Sequence, residues 1–147
     1  MTNKTFLPSS NSYSQRKWYV IDCKDKQLGR LASVLTKILS GKGKSYYYPG
    51  FDLGDCIILI NADLMIIDRY IKQLYVFKPG RPGSSLKTIV KCLPQQIIRR
   101  CIYRMMPNGM GKKCLSKRLK IYQGSDHPHL AQKPIYLKDI NNFTDNI

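Results

Sequence analysis

The stretch Trp18-Tyr-Val-Ile-Asp22, together with residues 28–39 that follow it, decides the fold class. The first four of these residues are aromatic or β-branched, which is typical of a buried strand. In the second segment apolar residues recur at helical spacing: Leu28, Leu31, Ala32, Leu35, Ile38 and Leu39. Gly41 is placed to end this helix, and the polar residues expected on its solvent face are Arg30, Ser33 and Lys37. The pattern predicts a strand followed by a helix.

A second apolar run, Cys56-Ile-Ile-Leu-Ile60, is unbroken in the way that is typical of parallel strands covered on both faces. Residues 74–77 are a further strand candidate, residues 119–122 are predicted as the last strand, and residues 64–67 are either a short strand or a helical turn. Pro94 is predicted to open a helix. Its core stripe is predicted as Ile97, Ile98, Cys101, Ile102 and Met105, with Arg100 and Arg104 on the far side. These elements indicate a layered α/β domain.

Composition narrows the class of partner. The 147 residues suit one domain, and 43% hydrophobic content indicates a folded protein. With 25 basic and 9 acidic residues the formal net charge is +16, which makes nucleic acid the leading partner. An anionic membrane is the second partner that such charge suits, but the sequence has neither a long apolar run nor a helix with a continuous basic face backed by Trp and Phe. We therefore expect no membrane binding.

Cations are concentrated in residues 104–129, and no acidic residue occurs between Asp68 and Asp126. If residues 112–119 are helical, Leu115 and Leu119 share one face and Lys113 and Lys117 share the opposite face. One face then packs on the core while the other meets a polyanion.

The five cysteines are odd in number and widely spaced in apolar segments: Cys23, Cys56, Cys92, Cys101 and Cys114. This usage favours reduced core thiols over disulfides. Residues 46–48 are three tyrosines that either stack on bases or, as the favoured alternative, serve as partly buried anchors.

Catalytic and metal motifs are weak. Gly43-Lys-Ser45 matches the end of a phosphate-binding loop, but Ile38 stands where that motif requires glycine, and the segment follows a helix instead of preceding one. His127 and His129 flank a proline without the paired cysteines of a zinc site. The aspartates are too dispersed for a general acid/base pair. We expect no catalytic residue, metal or cofactor.

Eight short segments, in order along most of the chain, closely resemble the L13 family of large-subunit ribosomal proteins, and most of all its cyanobacterial and plastid members. They are Trp18-Tyr-Val-Ile-Asp22, Leu28-Gly-Arg-Leu-Ala-Ser33, Gly41-Lys-Gly-Lys44, Asp52-Leu-Gly-Asp55, Ile60-Asn-Ala62, Gly80-Arg-Pro-Gly83, Met106-Pro107 and Leu119-Lys-Ile-Tyr-Gln-Gly124 with His127-Pro-His129. Single segments are weak signals, whereas the ordered set is specific.

The resemblance implies a three-layer α/β/α domain with a four-stranded, mainly parallel sheet, and a protein that binds large-subunit ribosomal RNA early in assembly, beside neighbouring ribosomal proteins. It brings no reaction, cofactor or small-molecule substrate. It implies a plastid ribosome, with a bacterial cytoplasm as the alternative. The predicted division is residues 1–16 as a flexible arm, 17–124 as the RNA-binding domain and 125–147 as a C-terminal extension.

Twelve residues in the matching motifs are the predicted RNA contacts: Arg30, Lys42, Lys44, Arg81, Lys87, Arg104, Lys112, Lys113, Lys117, Lys120, His127 and His129. The chain departs from the family pattern at Gly50, where histidine is usual, at residues 77–79, which are less basic, and at Ser84 and Ser85, which lengthen a turn. A stand-alone RNA-binding regulator is the second hypothesis. It differs from a ribosomal component in whether the protein stays in particles after a high-salt wash.

Overall fold

The computed structural model describes residues 7–9, 16–67 and 94–137. Their centre is a four-stranded parallel sheet with the strand order β3-β2-β1-β4. The strands are β1 (Trp18–Asp22), β2 (Cys56–Ile60), β3 (Leu119–Ile121) and β4 (Ile135–Leu137). The helices are α1 (Leu28–Ser40), α2 (Pro94–Met105), α3 (Met110–Lys113) and α4 (Leu115–Arg118), with 3₁₀ turns at Ala62–Leu64 and Leu130–Gln132. The predicted α/β class with a four-stranded parallel sheet is confirmed.

One face of the sheet packs against helices. Tyr19 pairs in register with Ile57, and Ile57 pairs with Leu119, so the three side chains form one row across the sheet. Ile21, Leu59 and Ile121 form the next row. Both rows belong to one core cluster with the apolar stripes of α1 and α2, and the two helices contact each other. Burial of these rows is the main stabilising contribution to the fold.

Helix α1 forms as predicted, over Leu28–Ser40. The six residues of its apolar stripe are buried, and Arg30, Ser33 and Lys37 are exposed. Gly41 ends the helix in the left-handed conformation at φ 76°, and its amide donates to the carbonyl oxygen of Ile38. Glycine adopts this conformation without steric cost, which explains the stop.

The opposite face of the sheet lies under the connection from β3 to β4. Val20 and Ile58 on this face are buried, and Trp18 and Tyr122, which the strand alternation places on the same side, both contact the ring of His129. From β1 to β2 to β3 the chain adds strands toward one edge of the sheet, and after β3 it crosses back to the opposite edge, where β4 lies. Because crossovers between parallel strands are right-handed, a crossover that runs back in this way passes over the face opposite α1 and α2. Both faces of the central strands are therefore covered.

Two stretches of the C-terminal half differ from the sequence-based expectations. Residues 112–119 do not form one helix, because α3 and α4 are separate four-residue helices with a turn at Cys114, and Leu119 already belongs to β3. Leu115 and Leu119 are nevertheless buried, and Lys113 and Lys117 exposed, as expected. Residues 119–122 are not the last strand, because Ile135–Leu137, within the predicted C-terminal extension, pairs with β1. Its three residues, Ile-Tyr-Leu, are too few to show a strand period.

In α2 the predicted core stripe was wrong at one position. Met105 is 46% exposed, whereas Met106, just beyond the helix, is 3% exposed and joins the core. The chain leaves helical geometry at this point, so the helical period no longer applies. Arg100 and Arg104 are exposed as predicted. Between the alternatives for residues 64–67, the structure has a helical turn at Ala62–Leu64 and a single bridge from Ile66 to Gln27.

The cysteines within the described residues are free thiols: Cys23, Cys56, Cys101 and Cys114. Burial raises the pKa of the Cys23 thiol to about 12, so this sulfur stays protonated at neutral pH. The strand candidate at residues 74–77, Cys92 and most of the predicted arm at residues 1–16 lie outside the described residues.

Candidate nucleic-acid interface

The edge of the sheet where the strands begin contains a buried ion pair. Arg118, at the end of α4, has a side chain only 3% exposed, and its Nη2 lies 2.7 Å from Oδ1 of Asp52. Its Nη1 donates to the carbonyl oxygen of Leu39 at 2.6 Å, and Nη2 also donates to that of Gly111 at 3.0 Å. Burial lowers the pKa of Arg118, and the charge of Asp52 opposes that shift. This guanidinium joins three separate segments of the chain.

Lys44 forms a second ion pair beside the first. Its Nζ lies 2.5 Å from Oδ1 of Asp55 and donates to the carbonyl oxygen of Leu53 at 2.8 Å. The Asp55 carboxylate also accepts from the amide of Lys17, so it anchors the start of β1. Lys44 was predicted to contact RNA, but its ammonium is largely buried and already paired with a carboxylate.

Gly54 allows these two pairs to form so close to the sheet. A Cβ atom at this position would overlap the carbonyl oxygen of Leu39 and Nη1 of Arg118. In the segment Asp52-Leu-Gly-Asp55, the two paired carboxylates therefore lie on either side of a glycine whose backbone packs closely against the carbonyl oxygen of Leu39. Asp52 and Asp55 are each paired with a cation and do not form an acid/base pair.

The other predicted RNA contacts differ in their surroundings. Five are exposed: Arg30, Lys42, Arg104, Lys113 and Lys117. Lys112 and Lys120 are partly buried. Arg81 and Lys87 lie outside the described residues, as do the departures from the family pattern at residues 77–79, 84 and 85.

A concavity of about 400 Å³ lies between α2 and the segment that contains α3 and α4. Its lining includes Arg99, Tyr103, Asn108, Lys112, Lys113 and Ser116, and no acidic residue contributes to it. The ammonium of Lys112 lies 4.5 Å from the centre of the Tyr103 ring and 3.0 Å from Oδ1 of Asn108. The Tyr103 side chain is half-exposed. Three cations and one aromatic ring therefore share a single hollow.

The two histidines belong to the layer that crosses the sheet. Nε2 of His129 is 2.8 Å from the hydroxyl of Tyr122, and its ring centre is 5.5 Å from that of Trp18. Nε2 of His127 is 3.3 Å from the hydroxyl of Tyr136. His129 therefore packs the crossover against the sheet.

The edge where the strands end holds a different arrangement. The Asp22 carboxylate accepts hydrogen bonds from the amide of Lys24 and from Nδ2 of Asn61. These two donors lower the pKa of Asp22. Within residues 7–9, 16–67 and 94–137, three or more potential metal-ligating side chains do not come together, and the helices there are too short or too polar to cross a bilayer.

Residues that the sequence prediction omitted include Arg99, Tyr103 and Arg118. Arg118 looks like one more cation in a basic run, since its partner Asp52 lies far away in sequence. Arg99 and Tyr103 are four residues apart, which places them on one face of α2, and this spacing was the available signal.

Fold and surface together define a class: a small basic α/β protein whose buried cations, among the described residues, are paired with carboxylates and whose exposed cations include several around a hollow that has no acidic residue in its lining. Comparison with known sequences narrows this class. The family model described as ribosomal protein L13 matches residues 16–128. The chain belongs to the ribosomal protein L13 family.

Similar proteins cover nearly the whole chain. The large ribosomal subunit protein uL13c of Trieres chinensis is 50% identical over 137 residues, which are 93% of this chain and 98% of that protein. The uL13 proteins of Synechococcus elongatus and Trichormus variabilis are 40% and 42% identical, covering 90% and 95% of this chain and 91% and 93% of their own lengths. The predicted resemblance to plastid and cyanobacterial members is confirmed. These relatives also support the plastid ribosome as the location.

Proposed function

We propose that this protein is a structural constituent of the large ribosomal subunit of plastids, where it binds large-subunit ribosomal RNA and supports early assembly beside neighbouring ribosomal proteins. The observation that carries the proposal is the pairing of cations. Lys44 and Arg118 are neutralised by Asp55 and Asp52. The exposed cations of residues 99–117, by contrast, lie in a stretch of sequence, from position 69 to position 125, that contains no acidic residue. The membership of the family supports it further.

Phosphate neutralisation is the binding mechanism that these side chains support. Lysine and arginine ions displace counterions from the RNA backbone, which drives binding without reading the bases. The proposed contacts remain the twelve predicted residues, with the outer face of α2 and the residues of α3 and α4 at the centre. Among them, Lys44 and His129 also hold the loops and the crossover that present their neighbours, through the Lys44 ammonium and Nε2 of His129.

Sedimentation tests the ribosomal role. The tagged full-length chain is expressed in a plastid-bearing or cyanobacterial host, the lysate is separated on a sucrose gradient, and RNA from each fraction is identified. We expect the protein to migrate with large subunits and their precursors and to stay there after a high-salt wash. Release by the wash, with RNA still bound, would favour a stand-alone RNA-binding regulator. Migration apart from all RNA would overturn both.

Charge reversal tests the surface itself. In the variant Lys113→Glu, Lys117→Glu, we expect the slope of log affinity against log salt for ribosomal RNA to fall by about 2. The control variant Lys24→Glu, Lys133→Glu changes two exposed lysines outside the proposed contacts and should leave the slope within about 0.5 of wild type. Equal slopes for wild type and the first variant would exclude these two lysines from the interface.

A further inference from the structure

The concavity between α2 and the α3–α4 segment has features that phosphate neutralisation alone does not require. A flat cationic surface is sufficient for backbone contacts, yet this hollow encloses about 400 Å³ and contains a half-exposed aromatic ring. Its volume lies within the range of roughly 300 to 1,000 Å³ that is common for small-molecule sites. It is large enough for one base with its sugar and far too small for a duplex.

Tyr103 is the residue that distinguishes this site. It lies one helical turn after Arg99 on α2, and the ammonium of Lys112 stands over one side of its ring. Asn108 fixes that ammonium through a 3.0 Å hydrogen bond. The 50% of the Tyr103 side chain that is exposed provides an apolar surface flanked by positive charge. Aromatic rings in such surroundings stack on unpaired bases, because every base has a π-face.

We infer that this hollow holds one unpaired nucleotide of the RNA, with its base stacked on Tyr103 and its phosphates bound by Arg99, Lys112 and Lys113. This inference rests on the proposed RNA-binding function and adds a preference for single-stranded over fully paired RNA. Asn108 and Ser116 line the same hollow; Oδ1 of Asn108 is engaged by Lys112, which leaves its Nδ2 and the Ser116 hydroxyl for the base edge. In A-form duplex RNA the bases are stacked and paired, so they cannot present a face to Tyr103.

The test compares two probes on the full-length protein at one low salt concentration. The first is a short single-stranded RNA that contains one 2-aminopurine, whose fluorescence reports stacking, and the second is a blunt RNA duplex of equal length. We expect Tyr103→Leu to weaken binding of the single strand about tenfold and to abolish the 2-aminopurine response. Duplex binding should change by less than about twofold, and the salt slope should not change.

Two further variants keep the result interpretable. Tyr103→Phe retains the ring and should bind the single strand within about twofold of wild type. Leu64→Ala trims another exposed apolar side chain, 55% exposed and outside the hollow, and should behave like wild type. If Tyr103→Leu binds the single strand as wild type does, or weakens both probes equally, the stacking site is refuted while RNA binding stands. If wild type binds neither probe, RNA binding itself is refuted.

Discussion

Two basic regions of this protein use the same side-chain types for opposite purposes. At the edge where the strands begin, Lys44 and Arg118 are buried and each is paired with a carboxylate. Around α2 and α3, Arg99 and Lys113 are exposed and no acidic side chain lines the hollow that they share. The difference shows that burial and pairing, and not the presence of a positive charge, separate cations that hold the fold from cations that stay accessible to solvent.

The largest expected effect on stability comes from Gly54→Ala, which disturbs the backbone packing beside the buried ion pairs. The added Cβ would overlap the carbonyl oxygen of Leu39 and displace Arg118, so we expect a loss of at least about 4 kcal/mol in the free energy of unfolding. Urea denaturation measures it. Gly29→Ala is the control, because an added Cβ there meets nothing within 4 Å and should stabilise α1 by up to about 1 kcal/mol. Equal midpoints for the two variants would refute the close approach.

Asp52→Ala is expected to cost about 3 kcal/mol, because it leaves the Arg118 guanidinium buried without its carboxylate. The unfolding free energy in urea again provides the measurement. Asp63→Ala removes an exposed carboxylate and should stay within about 0.5 kcal/mol of wild type. Combining Arg118→Met with Asp52→Ala should cost less than the sum of the two single losses, since each single change leaves one charge of the pair without its partner. Additive losses would contradict this account.

Asp22 gives a smaller, pH-dependent effect at the opposite edge of the sheet. Its pKa is lowered in the folded protein by the Lys24 amide and Asn61. Its contribution to stability is therefore fully present above the unfolded pKa of about 3.9 and is lost as pH falls through the lower folded value. We expect less than about 1 kcal/mol, because the group is exposed and solvent screens it. Asp22→Asn should remove this part of the acid dependence when unfolding is followed from about pH 6 to pH 2. An unchanged profile would show that Asp22 contributes none of it.

The smallest effect on stability is expected from Lys113→Glu, Lys117→Glu, the variant that should change RNA binding most. Both side chains are exposed, so the unfolding free energy should stay within about 0.5 kcal/mol of wild type. Thermal unfolding at moderate salt provides the comparison with Asp52→Ala. A loss as large as that of Asp52→Ala would mean that the two regions do not differ in kind.

The sequence predicted what depends on local pattern. Residues 18–22, 28–39 and 56–60 have apolar periods long enough to identify two strands and a helix, and Gly41 marked the stop. It missed Ile135–Leu137, whose three residues are too few to show a period and are fixed in place by pairing with β1. It also missed the break at Cys114, since the two short helices on either side follow the helical period almost as one helix would.

Among site residues, local sequence identified exposed cations but not their partners. Lys44 and Lys42 are equivalent in the sequence Gly41-Lys-Gly-Lys44, and only the folded chain brings Asp55 to Lys44 and leaves Lys42 exposed. Arg118 is likewise indistinguishable from Lys117 until Asp52 approaches it. Such pairs depend on contacts between distant segments, which no spacing rule encodes. Family resemblance suggested the polyanion partner, and the structure adds which of the described cations are exposed and which are buried in ion pairs.

The contacts of Arg118 with distant parts of the sequence also affect when the sheet can form during translation. Its carbonyl acceptor on Leu39 lies 79 positions earlier in the sequence, so the N-terminal half emerges from a translating ribosome long before this arginine exists. Until residue 118 has cleared the exit tunnel, Asp52 lacks its Arg118 partner and β2 has an open edge where β3 will dock. Closure of the sheet is therefore a late, post-emergence event, and unpaired edges of this kind invite chaperone capture during synthesis.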